Sequence, residues 1–288
     1  MTLAELIAEL GARLDQAGVS FGHGTTNADD EAAWLVLWRL GLPWEALDDA
    51  EQREVVDDEQ QAARELVERR IATRLPAAYL TGEAWLQGLP FFVDQRVIVP
   101  RSLIAEVIAD GTLDAWLPRA PARVLDLCTG NGSLAVLAAF AWPEARIAAT
   151  DLSSDALTVA QRNVERHGLA ARITLRQGDG LSAASGRYSL ILCNPPYVNS
   201  QAMAALPPEY RAEPALALAG GTDGMDFIRP LLADAATHLD DQGLLVLEIG
   251  HERAHFEAAF PRLSPVWLPT SAGDEQLLLL LAREELLQ

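Results

Sequence analysis

An α/β fold built on a mostly parallel sheet is the class this sequence predicts, and three observations carry that prediction. From about residue 119 onward, short apolar runs alternate with stretches of helical length, as expected of strands covered by helices on both faces. Two of those runs end in corners made for a sharp change of direction, Cys128-Thr129-Gly130-Asn131-Gly132 and Asn194-Pro195-Pro196-Tyr197. The chain has 288 residues, half of them apolar, enough for one large core and a smaller second one.

Residues 1–75 read as a helical domain. Leu3, Ile7, Leu10 and Leu14 recur at helical spacing. Trp34, Leu35, Leu37, Trp38 and Leu40 follow a polar, acidic start and stop at Gly41 and Pro43. A third, charged helix covers about 51–73. Residues 76–100 read as a β-hairpin linker, with Phe91–Val93 and Val97–Val99 flanking Asp94-Gln95. Pro100-Arg101-Ser102 opens a helix to about Ala109, with Ser102 as its cap.

Residues 101–288 form the large domain. Strands are expected at Arg123–Cys128, Arg146–Asp151, Ile173–Arg176, Tyr188–Asn194, Leu244–Gly250 and Gln276–Ala282, with a weaker one near Val266–Leu268. Helices are expected near 132–141, 154–167, 225–239 and 251–260. The stretch 195–224 shows no clear element, and loops of that length in compact domains usually carry function.

Net charge is −19, with a pI near 4.6. Nucleic acid is a poor partner for such a surface, whereas a basic protein would be steered toward it; solubility alone explains the acidity equally well. The two cysteines, Cys128 and Cys193, end core strands and read as buried free thiols. The amino terminus is an acidic amphipathic helix without a signal-peptide layout, and no apolar run approaches the roughly 20 residues of a membrane span. A cytoplasmic protein with no membrane partner is expected.

The chemistry-bearing residues lie where ligands meet such sheets, at the carboxyl ends of strands. Gly130 and Gly132 follow an apolar strand and precede a helix, so the backbone can turn and approach a ligand beside unpaired amides. Asp151 ends the second strand about 20 residues later, where an acid meets ribose hydroxyls. Capping explains Ser153 but not an acid on the strand end. Asp179 and Leu181 follow the third strand and could flank a base, and turn chemistry explains Gly178-Asp179-Gly180 equally well. Asn194-Pro195-Pro196-Tyr197 ends the fourth strand rigidly, because the prolines remove two backbone donors. Its acceptors and aromatic face suit a planar, neutral NH2 group; a plain Asn-Pro turn is the other reading.

In this order, the elements resemble the seven-stranded, Rossmann-like class I S-adenosylmethionine-dependent methyltransferases. Ile98-Val99-Pro100-Arg101-Ser102, the Asn194–Tyr197 corner, and Glu213-Pro214-Ala215-Leu216 with Gly220-Gly221-Thr222-Asp223-Gly224 are similar to the protein-glutamine methyltransferases. That family methylates the side-chain amide nitrogen of glutamine, in one branch on peptide-chain release factors and in another on a large-subunit ribosomal protein. Ala77–Trp85, Gly88-Leu89-Pro90-Phe91 and Leu206-Pro207-Pro208-Glu209-Tyr210-Arg211 look like the second branch, whose substrate is large-subunit ribosomal protein three. The resemblance implies S-adenosylmethionine at Cys128, Thr129, Gly130, Asn131, Gly132, Asp151, Asp179, Leu181 and Asn194. It implies substrate at Asn194, Pro195, Pro196, Tyr197 and Glu213, with Asn194, Pro195 and Tyr197 nearest the chemistry. Glu213 would steady the substrate loop; a solvated loop carboxylate is the bland alternative. The helical domain would select a basic protein partner, free and not yet in the ribosome, with no direct nucleic-acid contact. Release-factor methylation and adenine amino-group methylation are the competing readings.

The sequence departs from the family pattern at Cys128, where glycine is usual, at Asn131, where serine or threonine is common, and at Gly273-Asp274-Glu275-Gln276, which lacks a second glycine. His251-Glu252-Arg253-Ala254-His255 matches the zinc-protease pattern, but a zinc site needs a third ligand and a helix presenting both histidines. No metal site is expected.

Overall fold

A computed structural model describes residues 1–273 and 277–287. The chain divides into two compact units, one of residues 1–84 with 206–212 and the other of residues 85–205 with 213–288.

The first unit is helical. Thr2 caps α1 (Leu3–Gln16) through a reciprocal box with Glu5, and Asn27 caps α2 (Ala28–Leu40), which Gly41 closes in a left-handed turn. A single 3-10 turn spans Trp44–Leu47, and α3 (Asp57–Thr73) starts several residues later than the charge pattern suggests. Leu3, Leu6, Leu10 and Leu14 pack with Leu35, Val36 and Val67 in one apolar core. Arg70, on the charged helix, is fully buried between Glu31 and Glu209. Short α4 (Ala77–Thr81) leads into β1 (Glu83–Leu86), which pairs with β2 (Leu89–Phe92).

This hairpin differs from the expected one. Gln87 and Gly88 both take positive φ, 49° and 74°, as a two-residue hairpin turn with right-handed strand twist requires. The expected pairing of 91–93 with 97–99 does not form, because Asp94 takes the Arg96 and Val97 amides in a tight turn (3.1 Å each).

The second unit holds α5 (Ile104–Ala109), β3 (Arg123–Leu127), α6 (Ser133–Ala141), β4 (Arg146–Asp151), α7 (Ser154–Arg166), β5 (Ile173–Gln177) and β6 (Tyr188–Cys193). Where no element was expected, α8 (Ser200–Ala205) and α9 (Pro208–Arg211) follow, the latter within the first unit. Then come α10 (Ile228–His238), β7 (Leu239–Glu248), α11 (Arg253–Ala259), β8 (Val266–Trp267) and β9 (Leu278–Ala282). The seven-stranded sheet runs β5-β4-β3-β6-β7-β9-β8, parallel except where β9 lies antiparallel to both neighbours. Alternate side chains feed two cores. Val124, Leu190, Leu192 and Val246 face one, with α6; Leu125, Ile191, Leu245 and Leu247 face the other, with α10. The start of the strand expected at Gln276, and the departure at Asp274–Gln276, lie outside the described residues.

Candidate active site

Four neighbouring strands end at one level. Leu127 pairs with Thr150 and with Cys193, and Cys193 pairs with Leu247, so Asp151, Cys128, Asn194 and Glu248 stand in a row across β4, β3, β6 and β7. Strand order reverses at β3, the point where open α/β sheets take their ligands. A cleft of about 780 Å³, its open mouth included, lies there with Cys128, Gly130, Asp151, Asp179 and Asn194 on its wall.

The glycine turn is held from behind. Thr129 donates its amide to the Thr150 carbonyl (3.0 Å), and Gly132 donates to the Thr129 carbonyl (2.8 Å). A Cβ on Gly132 would sit 3.3 Å from the Ala160 Cα, so glycine lets α6 start close against α7. Cys128 takes φ 57°, a left-handed conformation costly for a side-chain-bearing residue. Asn131 is buried; its Oδ1 accepts the Ser133 amide (3.2 Å), and its carbonyl accepts from the Asn163 side chain (2.8 Å). Behind the turn, buried Asp126 accepts the Thr129 hydroxyl (2.5 Å) and the Ala135 amide (3.0 Å) through Oδ2. Its Oδ1 has no partner among the described residues, and burial pushes this carboxyl up to about 7.

Asp151 and Ser153 divide two jobs. The Ser153 hydroxyl accepts the Ala156 amide (3.1 Å) and caps α7. Asp151 accepts the Gly130 amide at Oδ2 and the Ser153 amide at Oδ1, each at 2.9 Å, and faces the cleft. Burial raises its carboxyl. A carboxylate has about four lone-pair sites, so two remain for a ligand. Leu181 belongs to the core rather than the wall; Leu216 of the Glu213–Leu216 motif supplies apolar wall, as do Leu152 and Phe227, which the sequence reading did not single out. Leu152 carried a signal, a leucine directly after a strand-end acid; Phe227 carried none.

At the other side, Asn194 and Pro196 line the cleft and Pro195 is buried. Among the described residues, neither the Asn194 side chain nor the Pro195 carbonyl is engaged in a hydrogen bond. Tyr197 donates its hydroxyl to Glu248 Oε1 (3.2 Å), and burial followed by the nearby Glu248 charge pushes the phenol well above its ordinary range. Glu213 is buried, not solvated. It accepts the Val99 amide (2.9 Å) and both Arg101 guanidinium nitrogens (2.7 Å each), and it is not on the cleft wall.

The zinc-like pattern serves other ends. α11 begins at Arg253, after His251. Glu252 accepts the Asn199 side chain (2.6 Å) and pairs with His255 (2.5 Å). Among the described residues no three His, Cys, Asp or Glu side chains gather as a metal site.

Sheet order, glycine turn and strand-end acid together define a class I S-adenosylmethionine-dependent methyltransferase. Family models agree: a methyltransferase small domain matches residues 111–207, and a PrmC N-terminal domain matches residues 5–82. The ribosomal protein uL3 glutamine methyltransferase of Bordetella pertussis is 56% identical over 99% of this chain and 96% of its own. The enzymes of the same name from Burkholderia pseudomallei and Neisseria gonorrhoeae are 49% and 45% identical, each over 95% or more of both chains. The chain belongs to the family of ribosomal protein uL3 glutamine methyltransferases. Among solved structures, a methyltransferase from Pyrococcus furiosus superposes with a TM-score of 0.50 at 20% identity, over 69% of this chain and 90% of that one. The hMettl16 catalytic domain, solved with an RNA hairpin, reaches 0.52 at 14% identity, over 78% and 81%. These last two likenesses show the fold.

The residues present fit S-adenosylmethionine. Asp151 keeps two lone-pair sites toward the cleft that ribose hydroxyls could use, Gly130 has open space where a side chain would stand, and Leu152 and Phe227 line the cleft with apolar surface against which a base could lie.

Proposed function

We propose that this enzyme methylates the side-chain amide nitrogen of a glutamine in ribosomal protein uL3, taken as a free, basic protein. The single observation that carries the reading is the pair of uncommitted acceptors at the corner, the Asn194 side-chain oxygen and the Pro195 carbonyl.

An amide nitrogen is a weak nucleophile because its lone pair is shared with the carbonyl. Bound S-adenosylmethionine supplies a methyl group on positively charged sulfur, which is already activated. What remains for the protein is orientation and polarisation. Asn194 and Pro195 accept the two amide hydrogens, aim the nitrogen, and favour the more positive nitrogen of the transition state. Tyr197 packs on the amide plane. No strong general base is required, since the methylated nitrogen is acidic and gives its proton to water. The prolines keep both acceptors rigid, so little reorganisation accompanies reaction. The −19 charge supports a basic protein partner and argues against nucleic acid.

Asn194→Ala tests the reading. Turnover should fall by about 100-fold or more, the scale of one lost preorganised hydrogen bond, with cofactor affinity kept within a few-fold. Near wild-type turnover would remove Asn194 from the amide site.

A further inference from the structure

The geometry points to Glu248 as a positioning residue for methyl transfer, acting through Tyr197 and touching neither cofactor nor substrate itself. The inference rests on the proposed role of the Asn194–Tyr197 corner.

A buried carboxylate is costly, and a purely structural strand end would be served by an apolar side chain. Glu248, 4% exposed, instead accepts three hydrogen bonds. They come from the Tyr197 hydroxyl (3.2 Å), the Ser102 hydroxyl (2.6 Å) and the Leu103 amide (2.9 Å). Two of the three tie it to the residues just after Arg101; the third is the aromatic ring of the corner. Arg101 in turn grips Glu213. The short run Val99–Leu103 therefore holds the 195–224 stretch at two points, near its start through Glu248 and Tyr197 and further along through Glu213.

Tyr197 is fixed on its other sides as well. A Cβ on Gly250, two residues beyond Glu248, would lie 2.4 Å from the ring edge, and one on Gly224 would lie 2.3 Å from the Tyr197 carbonyl. Val198 donates to the Leu218 carbonyl (2.8 Å) and accepts from Gly220 (2.9 Å). Backbone and ring are thus confined by glycines and by the loop at 218–220, and the hydroxyl is the ring's polar handle, taken by Glu248. A ring needed only for apolar packing would do as phenylalanine. The buried Glu248 carboxyl on its hydroxyl sets the ring's angle, and with it the face offered to a planar amide.

The test is a double-mutant cycle on the full chain with Tyr197→Phe and Glu248→Gln, assayed for kcat, KM for uL3 and S-adenosylmethionine affinity. Each single variant should lose on the order of tenfold in kcat, the equivalent of one hydrogen bond, while cofactor affinity stays within about twofold. The double variant should be no slower than the slower single one, since both remove the same constraint. Losses that multiply in the double variant would overturn the proposal, as would cofactor affinity falling in step with kcat. Wild-type kcat in Glu248→Gln would overturn it too. Asn194→Ala run alongside separates the two claims: if that variant keeps full turnover, the corner reading has failed, whereas a dead Asn194→Ala with multiplying losses here leaves the corner standing and removes Glu248.

Discussion

Replacing Asp151 by asparagine separates a cofactor ligand from a loop brace. The carboxylate holds two backbone amides at 2.9 Å, Gly130 on one oxygen and Ser153 on the other. Asparagine keeps one acceptor and turns an NH2 toward the second amide, so one bond to a charged group is lost, worth about 1.5–3 kcal/mol. Half of the lone pairs left for ribose hydroxyls go with it. Because those pairs matter only when the cofactor is bound, affinity for S-adenosylmethionine should weaken by a further ~1.5–3 kcal/mol, or about 10- to 150-fold in Kd. Calorimetric titration gives that number, and a thermal melt without cofactor gives the bracing contribution separately. A lowered melting temperature with unchanged Kd would refute the assignment and leave Asp151 as a brace for the glycine turn.

Two further outcomes follow from buried charge. Asp126 binds its proton more tightly folded than unfolded, since burial raises the carboxyl to about 7 from an ordinary 3.8. Its contribution to stability is full below the ordinary value and is lost as pH rises through 7, with a slope of up to about 1.4 kcal/mol per pH unit. Melting temperatures of the cofactor-free protein should therefore decline between pH 4 and 7, and less steeply in Asp126→Asn, where other buried carboxyls such as Asp151 still contribute; identical profiles would contradict this. Arg70→Leu strips buried Glu31 and Glu209 of their shared cation, which should destabilise the helical unit by about 3–5 kcal/mol. Urea unfolding followed by tryptophan emission measures it, and a loss below about 1 kcal/mol would mean that Arg74 alone satisfies Glu209.

The sheet was legible because its strands are short, apolar and bounded by Gly, Pro or acidic residues; β4 was expected and found at Arg146–Asp151. Local signals failed where long-range partners decide the outcome. Arg70 reads as one more charge on a charged helix, and its burial depends on Glu31, Glu209 and the Ser20 carbonyl, all distant in sequence. The hairpin was misplaced because Phe91–Val99 has strand-like composition, while the turn is set by Gln87 and Gly88, a pair with a weaker signature than Asn-Gly. At the site, Asp151, Gly130 and Asn194 could be read from spacing relative to strand ends. Glu248 could not, because its contact with Tyr197 appears only when register sets β7 beside β6 and Tyr197 folds back onto it.

The central claim is met most directly by incubating the purified enzyme with S-adenosylmethionine and isolated ribosomal protein uL3, a release factor, or duplex DNA, and mapping the product by tandem mass spectrometry. One methyl group on a glutamine side-chain nitrogen of uL3, absent with Asn194→Ala, is the predicted result. Equal methylation of the release factor, or labelled adenine with uL3 untouched, would contradict it.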